Sequence, residues 1–169
     1  VDGHCVIPMP LYGRSVDRPF KFRNATKKLR KQRLQRRWPD MDLDVEPYNG
    51  ELPSEPVMVE HQLADPDQRW TLLKQCNIDP TVHPVWRFKG GEQAALARWQ
   101  RFREKGLSGY ARRRNNAADT DGVSRMSAYI HYGMISPMKI ARESAELGTK
   151  SADKYLDELL VFREHAWHH

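Results

Sequence analysis

Two serines three residues apart, Ser124 and Ser127, bracket Arg125-Met126 where a helix is expected to begin. Hydroxyls beside the unpaired amides of a first helical turn make a natural anion site, since those N–H groups and the helix dipole favour negative charge. On spacing alone, ordinary helix capping is the simpler account of the pair. Three imidazoles, His165, His168 and His169, stand at i, i+3 and i+4, the spacing a metal site wants on one helix face. No cysteine or acid accompanies them at a motif spacing, so no metal is expected. His4-Cys5 and the pair Cys76 and His83 also lack zinc-type spacing. The chain contains no Gly-x-Ser-x-Gly, no P-loop and no dinucleotide glycine fingerprint. Gly90-Gly91 reads as a helix start rather than a phosphate cradle.

Charge is the second chemical signal. Residues 21–37 hold nine Lys/Arg and no acid, so the other residues sum to −3, the +6 total less those nine. Arg98 to Arg114 adds seven cations against the single acid Glu104. Such clustering suits a polyanion, where counterion release drives binding, but for a lone basic run a solvated helix face is the simpler account. The longest stretch free of charged residues, Met126–Met138, is too short and too polar for a membrane span, so none is expected. Two cysteines make no disulfide framework, and a reduced intracellular compartment is expected: cytoplasm, nucleus or a DNA-containing organelle.

The elements that must position these groups change character near residue 88. Upstream, His4–Pro8 reads as a short buried strand. Asn24–Trp38 reads as a surface helix with a thin stripe of Ala25, Leu29, Leu34 and Trp38, stopped by Pro39. Residues 39–69 carry five prolines among many acids and read as an extended linker. A short helix is expected over Gln68–Cys76. Downstream, helices are expected at Glu92–Lys105, Ser124–His131 and Ser136–Leu147, the last capped by Ser136 with Pro137 in its first turn. A final helix opened by Ser151 and Asp153 should bury Tyr155, Leu156, Leu159, Leu160 and Phe162. With 169 residues, 39% hydrophobic and 30% charged, the chain is expected to be mainly α-helical, one domain or pieces of two. It opens on Val1 and stops within a helical pattern, as a fragment would.

The segments FKGGEQAALARWQRF, GLSGYARRRN, DGVSRMSAYIHYGMISP and YLDELLVFREHAW together resemble the photolyase/cryptochrome family, in order and with matching spacing. The last segment is similar to the class II photolyase type. The resemblance covers residues 88–167 strongly and the remainder loosely. It implies three parts: 1–40 as the tail of an α/β antenna domain, 41–87 as a linker, and 88–169 as the first part of an all-helical FAD-binding domain. By resemblance, Tyr110, Ser124, Met126, Ser127 and Arg163 would be cofactor-binding, Glu158 catalytic, and Arg114 DNA-binding. Val123 stands where the family often has Thr, which removes one phosphate contact. The implied activity is deoxyribodipyrimidine photo-lyase: light-driven splitting of pyrimidine dimers in DNA by electron transfer from reduced FAD. A folate- or deazaflavin-type antenna pigment would assist, in a full-length monomer. A blue-light receptor without repair activity is the alternative, and a cofactor-free helical nucleic-acid-binding module is a third reading that accounts for the charge runs alone. The 169 residues by themselves are expected neither to repair DNA nor to hold FAD tightly. Exposed on its own, the last helix's apolar face would be a sticky patch.

Overall fold

A computed structural model describes residues 3–36, 46, 49–50, 65–79, 81–83, 85–86 and 88–168. The described residues are mainly helical, with no β-strand among them. Two compact units result, one built from residues 1–39 with 89–169, the other from 40–88. The smaller unit contains α3 (Pro66–Gln75), started by Asp65, whose carboxylate accepts the Asp67 amide at 2.9 Å. Trp38 and most of the proline-rich stretch lie outside the described residues.

The larger unit opens with an extended segment, His4–Pro8, and the single turn α1 (Met9–Tyr12). Cys5, Val6 and Ile7 are buried, as the apolar run predicts. They form no strand, because side chains rather than a neighbouring strand satisfy their backbone. Glu164 Oε1 accepts Val6 N–H at 2.6 Å, Glu164 Oε2 accepts Ile7 N–H at 3.1 Å, and Arg163 donates to the His4 carbonyl at 2.7 Å. A segment can be fully hydrogen-bonded without a ladder when a buried carboxylate takes its amides.

The helix α2 (Pro19–Gln35) starts five residues earlier than expected, with Pro19 in its first turn, where the missing N–H costs nothing. Its buried residues are Phe22 and Thr26, while Ala25 is exposed. The basic run divides by residue type. Arg23 pairs with Asp157 at 3.1 Å, Arg30 donates to the Arg23 carbonyl at 2.8 Å, and Arg33 donates to the Val6 carbonyl. Lys27, Lys28 and Lys31 face outward and are exposed. Guanidinium forks reach several acceptors at once, whereas ammonium groups favour hydration, so Arg23, Arg30 and Arg33 reach back to the fold.

The remaining helices are α4 (Glu92–Lys105), α5 (Tyr110–Arg113), α6 (Ser127–His131), α7 (Pro137–Ala145), α8 (Lys150–Asp157) and α9 (Arg163–His168). Their shared core is Trp99, Phe102, Leu107, Tyr129, Ile130, Ile140, Tyr155, Leu159 and Leu160, with Val6 from the opening segment. At α7, Pro137 occupies the first turn as expected, but the Ser136 hydroxyl makes no cap. Likewise α8 is capped not by Ser151 but by Thr149, whose Oγ1 accepts the Ala152 amide at 3.2 Å.

A π-helical turn, Glu158–Phe162, joins α8 to α9. It corrects the predicted buried face. A π turn rotates the chain by a different angle per residue than an α turn, so a face read off at α spacing need not continue through it. Val161, Glu164, His165 and His168 are buried, and Phe162 is 44% exposed. Tyr155, Leu159 and Leu160 pack inside this chain, leaving no continuous sticky face there.

Candidate functional site

The residues that sequence analysis singled out converge on one cavity of about 680 Å³. Its wall takes Tyr110 from α5, the loop Val123–Met126, Ser127 at the head of α6, Tyr155 from α8, Glu158 from the π turn and Arg163 from α9. Six of the seven expected site residues line it: Tyr110, Ser124, Met126, Ser127, Glu158 and Arg163. The seventh, Arg114, stands behind the wall and donates through Nη1 to Glu158 Oε1 at 2.7 Å, where Lys154 also pairs at 2.9 Å. Two cations on one carboxylate oxygen hold Glu158 in place at the cavity edge.

The loop is not the helix start expected. α6 begins at Ser127, and Ser124–Met126 precede it as an irregular loop in which Arg125 has φ +56°. A non-glycine residue in that region carries local strain, which persists only where surroundings enforce it. Met126 follows at φ −86°, ψ −6°.

Arg98 supplies part of that enforcement. From α4 its Nε donates to the Ser124 carbonyl at 2.9 Å and its Nη2 to the Val123 carbonyl at 3.3 Å. Burial, with Arg125 nearby, lowers the Arg98 pKa, yet the guanidinium keeps its charge at any ordinary pH. The sequence placed Arg98 only in a polyanion-binding run; no spacing signal marks a brace between α4 and a distant loop. Exchange of Arg98 for Met, which keeps the stem and removes the fork, should destabilise the chain by about 1–2 kcal/mol. Amide hydrogen exchange should speed up at residues 123–127 and stay unchanged in α7. Uniform acceleration across both would show that Arg98 holds the fold rather than the loop.

Further arginines of the second basic run are likewise engaged. Arg113 pairs with Asp119 at 2.6 Å and 2.8 Å, and Arg103 reaches Glu143 at 3.0 Å. Glu143 also accepts the Trp99 indole N–H at 2.6 Å and an ammonium proton from Lys139. Burial pushes the Glu143 pKa up, but those three donors outweigh it and leave the carboxyl below its ordinary value. At Tyr110, burial and then the Glu158 charge raise the phenol pKa, so the ring faces the cavity neutral.

Arg163 has one further property. Its Nη1 is buried without a hydrogen-bond partner among the described residues, while Nη2 holds His4. His165 and His168 do not gather as a cluster; their Nε2 atoms reach the Val16 and Ile7 carbonyls at 2.7 Å and 3.0 Å. His169 lies outside the described residues.

Comparison with curated proteins gives one consistent result. The chain is 34% identical over 88 residues to a deoxyribodipyrimidine photo-lyase of Methanothermobacter thermautotrophicus, covering 52% of this chain and 18% of that protein. It is 40% identical over 78 residues to one from Thermus thermophilus, covering 46% and 18%. The rice protein of the same name, from Oryza sativa, aligns at 28% identity over 175 residues, which takes in 97% of this chain. The chain resembles photo-lyases. It spans 18–32% of the length of these three photo-lyases. No family model matches it. Among the described residues of this photo-lyase-like chain, no helix is long and apolar enough to cross a membrane.

Proposed function

We propose that this chain forms the phosphate-holding wall of an FAD site in a light-driven DNA-repair enzyme that splits pyrimidine dimers. The observation that carries the reading is the convergence of Tyr110, Ser124, Met126, Ser127, Glu158 and Arg163 on one cavity. The strained loop at Arg125 supports it, because such strain concentrates at ligand sites. The size of the cavity falls within the roughly 300–1,000 Å³ range of organic-ligand sites.

The fit to FAD rests on the donor set. The Ser124 and Ser127 hydroxyls and the neighbouring amides of Arg125 and Ser127 would hold the diphosphate, with Arg163 supplying positive charge on the cavity wall. Tyr110 offers a neutral aromatic wall, and the Arg114–Glu158 pair borders it. When bound and reduced, a flavin supplies the photoexcited electron that opens the dimer, and the protein's part is to bind and orient it. The exposed lysines of α2 support a DNA-facing surface, while the arginines of both basic runs mostly serve the fold. On this reading residues 1–40 end an antenna domain that carries a folate or deazaflavin pigment in the full-length monomer, and 88–169 open the FAD domain. An intracellular, DNA-containing compartment follows from the substrate.

The test uses full-length protein loaded with FAD, chemically reduced and mixed with duplex DNA carrying cyclobutane dimers. Blue light should remove the dimers, and darkness should preserve them. Dimers that persist under light with fully reduced flavin would overturn the repair reading and favour a blue-light receptor. A colourless protein that binds DNA with a steep salt dependence would instead support a cofactor-free binding module.

A further inference from the structure

Tyr155 is absent from the set of site residues that the sequence suggests, where it counts only as part of a buried helix face. In the fold its ring is held on several sides. Trp99 stacks on it with centroids 5.8 Å apart and planes 24° from parallel, Tyr110 meets it edge-on at 5.1 Å, and Phe102 packs at 5.5 Å. The ring is therefore fixed, and its hydroxyl lies 3.2 Å from Ser124 Oγ at the cavity wall.

Hydrogen-bond arithmetic at this pair is unusual. Two hydroxyls carry two protons, but one bond between them uses only one. In the fold the Tyr155 O–H is the donor of that bond. Ser124 Oγ then accepts from Tyr155, and the Met126 amide leans on the same oxygen at 3.4 Å. With its accepting side occupied, Ser124 has its own proton left to offer to the cavity.

We infer that Tyr155 is a positioning residue which turns the Ser124 hydroxyl into a dedicated donor for an anionic oxygen bound in the cavity. The inference rests on the reading of the Ser124 loop as a phosphate site and adds a device that selects the ligand class. A hydroxyl free to rotate serves donors and acceptors alike. One held by Tyr155 favours acceptors, and phosphate oxygens are acceptors only. The effect passes through Ser124, so it must vanish when the Ser124 hydroxyl is removed.

A double-mutant cycle on the full-length protein tests this, with the Kd for FAD followed by flavin fluorescence and thermal midpoints recorded for each apo form. Ser124→Ala should raise Kd about tenfold, the loss of one hydrogen bond to a charged group. Tyr155→Phe, which keeps every ring contact, should raise it about threefold by loosening the serine. In the Ser124→Ala background, Tyr155→Phe should change Kd by less than about twofold. Ser124→Thr, which keeps a hydroxyl, should stay within about twofold of the parent and should still respond to Tyr155→Phe. A threefold penalty that persists without the serine hydroxyl would show that Tyr155 acts by itself and overturn the inference. So would a Tyr155→Phe protein with unchanged Kd beside a weakened Ser124→Ala protein. An unchanged Kd for Ser124→Ala would instead remove the phosphate reading, and the positioning role with it.

Discussion

Replacing Ser124 and Ser127 together by alanine is expected to strip the full-length protein of FAD during dialysis, with a Kd raised about a hundredfold or more. Two hydrogen bonds to a charged group are lost, each worth about 1.5–3 kcal/mol. Neither hydroxyl caps a helix, since α6 has no side-chain cap, so the loss of apo stability should be confined to the one bond between Ser124 and the buried Tyr155 hydroxyl, about 1 kcal/mol. Flavin absorbance per polypeptide after dialysis is the measurement. Equal flavin content in variant and parent, at equal thermal midpoint, would return the serines to ordinary surface residues.

Titration from pH 4.5 to pH 7 should cost the folded chain about 3 kcal/mol, and Glu164 is the cause. This carboxyl is fully buried, and burial pushes its pKa from the ordinary 4.5 up to about 7 despite the two amides and the Arg163 and Arg30 charges that oppose the shift. Because the folded-state value is the higher one, the folded chain holds a proton that the unfolded chain has released across this window. Stability is therefore full below pH 4.5, falls as pH rises through 7, and is flat above it. The size follows from the gap between 4.5 and about 7, at about 1.4 kcal/mol for each tenfold change in proton activity. Glu164→Gln keeps an acceptor for the Val6 or Ile7 amide and removes the titration, so its urea midpoint should not show this slope. Glu164→Ala at pH 5 strands both amides and should cost about 2–5 kcal/mol. A parent protein with equal urea midpoints at pH 5 and pH 7 would exclude Glu164 as the titrating group.

Local sequence determined much of the helical half of this protein. Glu92–Lys105 is bounded as predicted, because Gly91 and Gly106 punctuate a run of strong helix formers whose apolar residues recur at helical spacing. Pro137 and Pro19 sit in first turns for the same kind of local reason, although α2 starts five residues before the expected Asn24. The loop serines were legible from the motif around them, since a resemblance carries positions that spacing alone leaves as caps. What the sequence could not determine was set by groups far apart in the chain. Thr149 caps α8 in place of Ser151, a choice of one or two residues that depends on where the chain enters the helix. Across the π turn at Glu158–Phe162 the chain leaves Phe162 exposed and buries Val161 and then Glu164, and no periodicity within the segment announces it. Glu164 reaches Val6 and Ile7 from the opposite end of the chain, and that contact turns an expected strand into a clamped loop. Arg23, Arg30, Arg33 and Arg98 looked like a polyanion surface and instead hold backbone and carboxylate oxygens, since burial rewards a charge only where acceptors converge on it. Local rules act within a turn or two of helix; the cavity, its braced loop and its buried acid exist only where distant segments meet, so the tertiary structure alone decided them.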